Sequence, residues 1–266
     1  MLGAAVGFGF IAGPALGAFL IGEHPDRLSF IKACYASAAM AGVAVLAAIF
    51  LFRESLPKEA RRAGHQPRPR RLMMLASRPA LTRFVAVTLL MITAQALLES
   101  TFGLWADVTL GWGPRGVGWA LAGLGVGAVL LQGGGAGRAA RIVGERMMLL
   151  CGLALLAGAF SGLSIAKTEG ALIAALVALV IGLGLTTPAL NALIAAQAGE
   201  QERGAVMGLS QSASALGRVI GPLSAGFIFD LYGPGAPYVF GALLALAALF
   251  VALREPLARH EPSSSR

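Results

Sequence analysis

Apolar residues in this chain run in long unbroken blocks, not at every second or every third to fourth position. The blocks fall near residues 2–22, 30–52, 83–106, 116–136, 147–166, 170–197, 205–230 and 235–253. A helix of about 20 apolar residues crosses a ~30 Å hydrocarbon core, so the pattern predicts eight transmembrane helices. Nothing in it resembles the alternating strands of about ten residues that a membrane barrel requires. The expected fold class is an all-α membrane protein. Composition agrees: 57% of residues are hydrophobic and 13% charged, and the mean hydropathy is +0.76. That leaves too little polar surface to clothe a globule in water.

The charges are sorted by loop. Arg53, Lys58, Arg61, Arg62, Arg68, Arg70, Arg71, Arg78 and Arg83 crowd the second connection, and Arg138, Arg141 and Arg146 the fourth. Arg203 lies in the sixth, and Arg254, Arg259 and Arg266 mark the tail. The excess of basic residues in alternate loops puts those loops and both termini on the cytoplasmic side. A net charge of +8 follows from this sorting. It reads as anchoring beside the lipid surface, with no nucleic-acid partner. Cys34 and Cys151 sit in separate predicted spans, which suggests neither a disulfide nor a metal site. The apolar opening lacks a basic start and carries Gly13-Pro14 in mid-run, so it reads as a mature span and not a leader.

One element occurs twice. Gly9–Leu20, GFIAGPALGAFL, and Gly217–Ile228, GRVIGPLSAGFI, share Gly, Gly-Pro, small, small and Phe at the same offsets. Each proline removes a backbone donor and invites a kink. Gly9, Gly13 and Gly17, like Gly217, Gly221 and Gly226 around Pro14 and Pro222, predict close helix crossings. The first and seventh spans being copies, the repeating unit is six helices. The chain then reads as the C-terminal two-thirds of a twelve-helix protein, with four N-terminal helices absent that a complete carrier needs. The expected divisions are residues 1–52 as the last two helices of one bundle, 53–81 as a basic cytoplasmic linker, 82–253 as a six-helix bundle and 254–266 as a cytoplasmic tail.

These motifs resemble those of the major facilitator superfamily, and the resemblance covers the whole chain. Gly9-x-x-x-Gly13-Pro14-x-x-Gly17-Ala18 is similar to the antiporter motif in the fifth helix of its proton-coupled drug exporters. Gly137–Arg146, GRAARIVGER, resembles the loop motif between helices eight and nine, with candidate residues Arg138, Arg141, Gly144 and Arg146. Arg141 stands where that motif has aspartate, and Glu145 where it has arginine, so the loop departs from the pattern at the charges on which the motif's relay rests. GLSQSASALGRVIGP is similar to a variant in bacterial drug-exporter-like members. The resemblance implies a secondary transporter with spans three and six bordering a central pore.

Hydrophilic groups inside the spans are few. Glu99 is the one acid well inside a span, and Gln95 four residues before it shares its face, as does Thr88. A carboxylate there can exchange protons under a partner's control or bind a cation; the plainer reading is a structural acid near the outer interface. Arg218 lies near the middle of the seventh span, with Gln211 seven residues before it and Ser214 four, which makes a second polar face. It pairs with Glu99, with an acid from the absent helices or with backbone carbonyls, or it holds the helix beside Gly221-Pro222. Span six carries Thr187 and Asn191 around Pro188, a broken helix of the kind that lines substrate cavities, or a packing kink. Gln132 is a weaker candidate. His24, His65 and His260 fall in loops or the tail, and no strand precedes the Gly7-x-Gly9 stretch. An enzyme, a metal site and a bound cofactor are therefore not expected. The predicted function is alternating-access, proton-coupled efflux of small, partly apolar molecules, with protons, a small-molecule substrate and the bilayer as partners. A nutrient uptake symporter on the same scaffold and a non-transporting membrane partner are the alternatives.

Overall fold

The computed structural model describes residues 2–22, 26–51, 77–131, 135–199 and 202–254. Most of the basic linker, the tail beyond Arg254, Gln132 and all three histidines lie outside the described residues. The helices are α1 (Leu2–Ile21), α2 (Arg27–Leu51), α3 (Pro79–Leu110), α4 (Pro114–Leu130), α5 (Ala136–Val143), α6 (Glu145–Ile165), α7 (Glu169–Ala196), α8 (Arg203–Tyr232) and α9 (Ala236–Leu253). Among the described residues there is no strand. Six helices, α2, α3, α6, α7, α8 and α9, are long and apolar enough to cross a membrane; α4 and the Ile11–Ile21 part of α1 are apolar but shorter. The chain is thus an all-helical, multi-pass membrane protein.

Helix ends differ from the apolar blocks because caps, not hydropathy, set them. Proline in the first turn of α3 costs no hydrogen bond, so the helix begins at Pro79, before the apolar run. It continues to Leu110, where Gly111 adopts φ 67° and ends it. The Gly111 and Trp112 N–H groups then donate back to the carbonyls of Asp107 (2.9 Å) and Ala106 (3.2 Å), which satisfies two acceptors that a helix end would orphan. Thr168 caps α7 by accepting from the Ala171 N–H at 3.3 Å. The stretch read as a loop at GRAARIVGER contains a helix of its own, α5. Alanine and arginine are strong helix formers, and Gly144 at φ 79° separates α5 from α6.

Lipid is as apolar as leucine, so burial of apolar surface does not draw membrane helices together; close packing and polar contacts do. The most extensive contacts are those of α6 with α7, α3 with α8, α1 with α4, and α9 with both α6 and α3. Small residues mark the crossings. A Cβ added at Gly182 would lie 2.8 Å from Leu156 Cγ, at Gly127 2.7 Å from Val180 Cγ1, and at Gly241 2.8 Å from Phe160 Cδ1. At the α6–α7 crossing, a Cβ on Gly152 would collide with the buried Thr186 hydroxyl. The largest buried side chains, Trp105 and Tyr238, meet edge to face at 5.6 Å between ring centroids, tying α3 to α9. By contrast α2 has no buried residue, and among the described residues its main contact is with α1.

Candidate functional site

The expected polar residues lie on three helices, α3, α7 and α8, that touch one another pairwise. On α3 the i, i+4 spacing does what it predicts: Gln95 Nε2 donates to Glu99 Oε1 at 2.8 Å. Glu99 is exposed and Gln95 half-buried, so the pair opens onto an unpacked face of the long helix. Thr88 does not extend the stripe. It is buried, and its hydroxyl donates to the Phe84 carbonyl at 2.9 Å, a bond within its own helix. On α7, Thr187 is half-buried beside Pro188 and Asn191 is exposed. On α8, Gln211 and Arg218 are both exposed. Among the described residues no hydrogen bond or ion pair joins Arg218 to Glu99, Asn191 or Gln211. The structure brings the three helices together without bonding these side chains across them.

The glycine-proline copies use different faces. On α8, a Cβ at Gly221 would sit 2.5 Å from Ala96 Cβ, and one at Gly217 3.1 Å from Leu89 O and Ile92 Cγ2. The close crossing expected there is with α3. A Cβ added at Gly226 would meet nothing within 4 Å among the described residues, and the same holds for Gly9, Gly13 and Gly17 on α1. The α1 crossing is made one residue round the helix: a Cβ at Gly118 of α4 would meet Ala18 Cβ at 2.6 Å and the Pro14 carbonyl at 3.0 Å. Spacing showed that a small face existed, but which flank of the kink is covered depends on the neighbour.

The basic residues prove to be ties between helix ends. Arg78 Nη2 pairs with Glu202 Oε2 at 2.7 Å and its Nη1 donates to the Gln197 carbonyl at 3.1 Å. This links the start of α3 to the turn between α7 and α8. Arg146 donates to the Leu253 carbonyl at 3.4 Å and Arg83 to the Arg254 carbonyl at 3.2 Å. Both reach carbonyls at the negative, hydrogen-bond-poor end of α9. Arg138 and Arg141 are exposed on or beside solvent-facing α5, where Arg141 Nε bonds the Gly137 carbonyl at 3.3 Å. Glu202 and Gln197 carried no sequence signal. The partners of Arg78 lie 119 and 124 residues away.

The sequence pattern of the Major Facilitator Superfamily matches residues 84–266. The chain is 30% identical over 263 residues to the class D tetracycline resistance protein of Salmonella ordonez, covering 96% of this chain and 64% of that one. It is 30% identical over 253 residues to multidrug resistance protein 2 of Bacillus subtilis (strain 168), covering 92% of this chain and 61% of that one. The crystal structure of the human organic anion transporter MFSD10 (TETRAN) superposes with a TM-score of 0.73 at 24% identity, over 94% of this chain and 62% of that one. The chain therefore spans about three fifths of the length of these proteins. With the family pattern covering most of its residues, this chain belongs to the Major Facilitator Superfamily, a family of membrane transporters and not of enzymes.

Proposed function

We propose that the chain forms part of a proton-coupled exporter of small, partly apolar compounds that works by alternating access. The observation that carries the reading is the Glu99–Gln95 pair: an ionisable group well within a long apolar helix, turned to an open face. Carboxylates in such positions are costly and serve ion or proton pathways. The relatives named for tetracycline and multidrug resistance favour efflux over uptake. In this reading α1 and α2, within residues 1–52, belong to one bundle. Residues 53–81 link them to the six-span bundle of residues 82–253, which the tail 254–266 follows. Both termini face the cytoplasm of a bacterial inner membrane. Further helices, on a twelve-helix plan, complete the cavity wall against Glu99, Thr187, Asn191, Gln211 and Arg218. Gly9, Gly13 and Gly17 lie on a face of α1 open to such helices. The Arg146 tie to α9 holds the cytoplasmic end, with Arg138, Arg141 and Gly144 on the loop motif beside it.

The test is efflux of a tetracycline into everted vesicles that carry the complete transporter containing this chain, driven by an imposed proton gradient. Glu99→Gln keeps the size and the hydrogen bond to Gln95 but removes the titrating proton. Gradient-driven efflux disappears in the variant while drug binding persists. Efflux that still follows the gradient in Glu99→Gln removes Glu99 from the coupling.

A further inference from the structure

The short helix α5 leads directly into a membrane span and has two unlike sides. Ala139 and Ala140 are half-buried and pack onto the bundle, where α5 meets α6 and α7. Arg138, Arg141 and Ile142 are exposed, Ile142 by 82%. Arg141 follows Arg138 by three residues and Ile142 by four, so both are its neighbours on one side of the helix, about 5–6 Å away at Cβ. Two like charges at that spacing repel each other, and among the described residues neither guanidinium meets a carboxylate. Arg141 Nε donates to the Gly137 carbonyl of its own helix at 3.3 Å, which leaves its two terminal nitrogens to a ligand. Glu145, the nearest acid along the chain, lies beyond the break at Gly144 and starts α6. There its charge complements the positive end of that helix.

Depth decides what such a face meets. Gly144 alone separates α5 from α6, which is long and apolar enough to span a membrane. The apolar run of α6 begins at Met147, an exposed side chain. The three residues before the run is reached rise about 5 Å, and the headgroup layer on each side of the hydrocarbon is roughly 5–8 Å thick. α5 therefore lies at the level of the lipid phosphates. A soluble anion there satisfies the arginines and leaves Ile142 in water. A phospholipid satisfies all three side chains, phosphate against guanidinium and acyl chain against isoleucine.

We propose that α5 is a binding site for an anionic phospholipid, with Arg138 and Arg141 on the phosphodiester of the headgroup and Ile142 against the acyl chain. Guanidinium suits this ligand because its paired N–H donors match phosphate oxygens. Arg141 is also a position at which the loop departs from the transporter motif it resembles, so the site belongs to this chain and not to the motif. The proposal goes beyond the efflux reading and needs only that α6 spans a bilayer.

The experiment uses the full chain in phosphatidylcholine vesicles, with Cys34→Ser and a donor dye on Cys151, exposed on α6 and seven residues from Gly144. The probes are trace phosphatidylglycerol and trace phosphatidylcholine, each with an acceptor dye on an acyl chain and an unmodified headgroup. Energy transfer reports how often each lies beside the donor. Phosphatidylglycerol is preferred more than tenfold, at roughly fivefold for each arginine near the surface. Arg138→Gln and Arg141→Gln each lower the preference about fivefold, the double variant abolishes it, and Ile142→Ser weakens it at unchanged charge. Arg203→Gln, which removes a charge at the start of α8, leaves it as it was. Equal transfer from the two lipids in the unaltered chain overturns the proposal, a result that needs no mutant to fold. So does a preference that survives in the double variant, or one that falls as far in Arg203→Gln, since the attraction is then spread over the whole basic surface. Displacement of the labelled lipid by millimolar inorganic phosphate at constant ionic strength gives the arginines to a free anion and refutes the lipid. Because no transport is measured, loss of the efflux reading leaves this result standing, and the reverse.

Discussion

Alanine at Gly221 and at Gly226 makes a matched pair that isolates the α3–α8 crossing. Both glycines lie inside α8, so each substitution brings the same helix-propensity gain, up to about 1 kcal/mol. Only one of them meets a neighbour. The new Cβ at position 221 falls 2.5 Å from Ala96 Cβ and 3.1 Å from the Thr93 carbonyl oxygen, whereas at position 226 nothing lies within 4 Å. Carbon atoms pack at about 3.5–4.0 Å, so the two helices must part by roughly 1 Å or more along much of their contact. Overpacking of this kind costs about 1–3 kcal/mol. Since the propensity terms cancel, that whole cost appears as the difference between the variants. Denaturation of the purified chain in detergent, followed by helical circular dichroism, measures it: Gly221→Ala is less stable than Gly226→Ala by about 1–3 kcal/mol. Two variants within about 0.5 kcal/mol of each other, the ordinary scatter of surface substitutions, would refute the packing argument.

Gly152→Ala forces a methyl group against the Thr186 hydroxyl and destabilises the chain by about 1–3 kcal/mol. Thr186→Ala added to it recovers part of the loss, and strict additivity in the double-mutant cycle would show that the two do not touch. The Arg78–Glu202 pair, with both side chains about a third exposed, couples by at most about 1 kcal/mol in a double-mutant cycle. That coupling shrinks as salt rises from 0.05 to about 0.5 M, and a salt-independent coupling contradicts the ion pair. At the start of α2, Asp26 accepts from the Ser29 hydroxyl and from the Ser29 N–H (2.7 Å), and these bonds, that from the hydroxyl foremost, hold its carboxyl below the usual 3.8. A lowered folded-state value means the contribution is present above pH 3.8 and fades as pH falls through the folded value. NMR titration finds Asp26 below 3.8 in the native chain and restored towards it in Ser29→Ala.

Existence of the long helices was legible because hydrocarbon demands uninterrupted apolar length, a signal that α3, α6, α7 and α9 carry without ambiguity. Their ends were not, since Pro79 and Gly111 set them by cap geometry outside the apolar run. α5 was hidden because eight residues carrying two arginines look like a loop when only hydropathy is read. The Gln95–Glu99 bond followed from helical spacing alone. What surrounds Arg218, and why Pro14 and Ala18 replace the glycine stripe at the α1 crossing, depends on how each helix is rotated against its neighbour. That rotation is settled by which small residue meets which ridge, a tertiary fact with no imprint on one helix's own sequence.

The ties made by Arg83 and Arg146 end on main-chain oxygens at the foot of α9. A tether fastened to the peptide backbone is indifferent to the side chain it passes. Leu253 is therefore tolerant of exchange for any residue that keeps the helix, while the guanidinium reaching its carbonyl is not replaceable by a shorter cation. Related proteins are expected to drift at the anchoring position and hold arginine at the other end. An inventory of paired side chains would overlook this asymmetry.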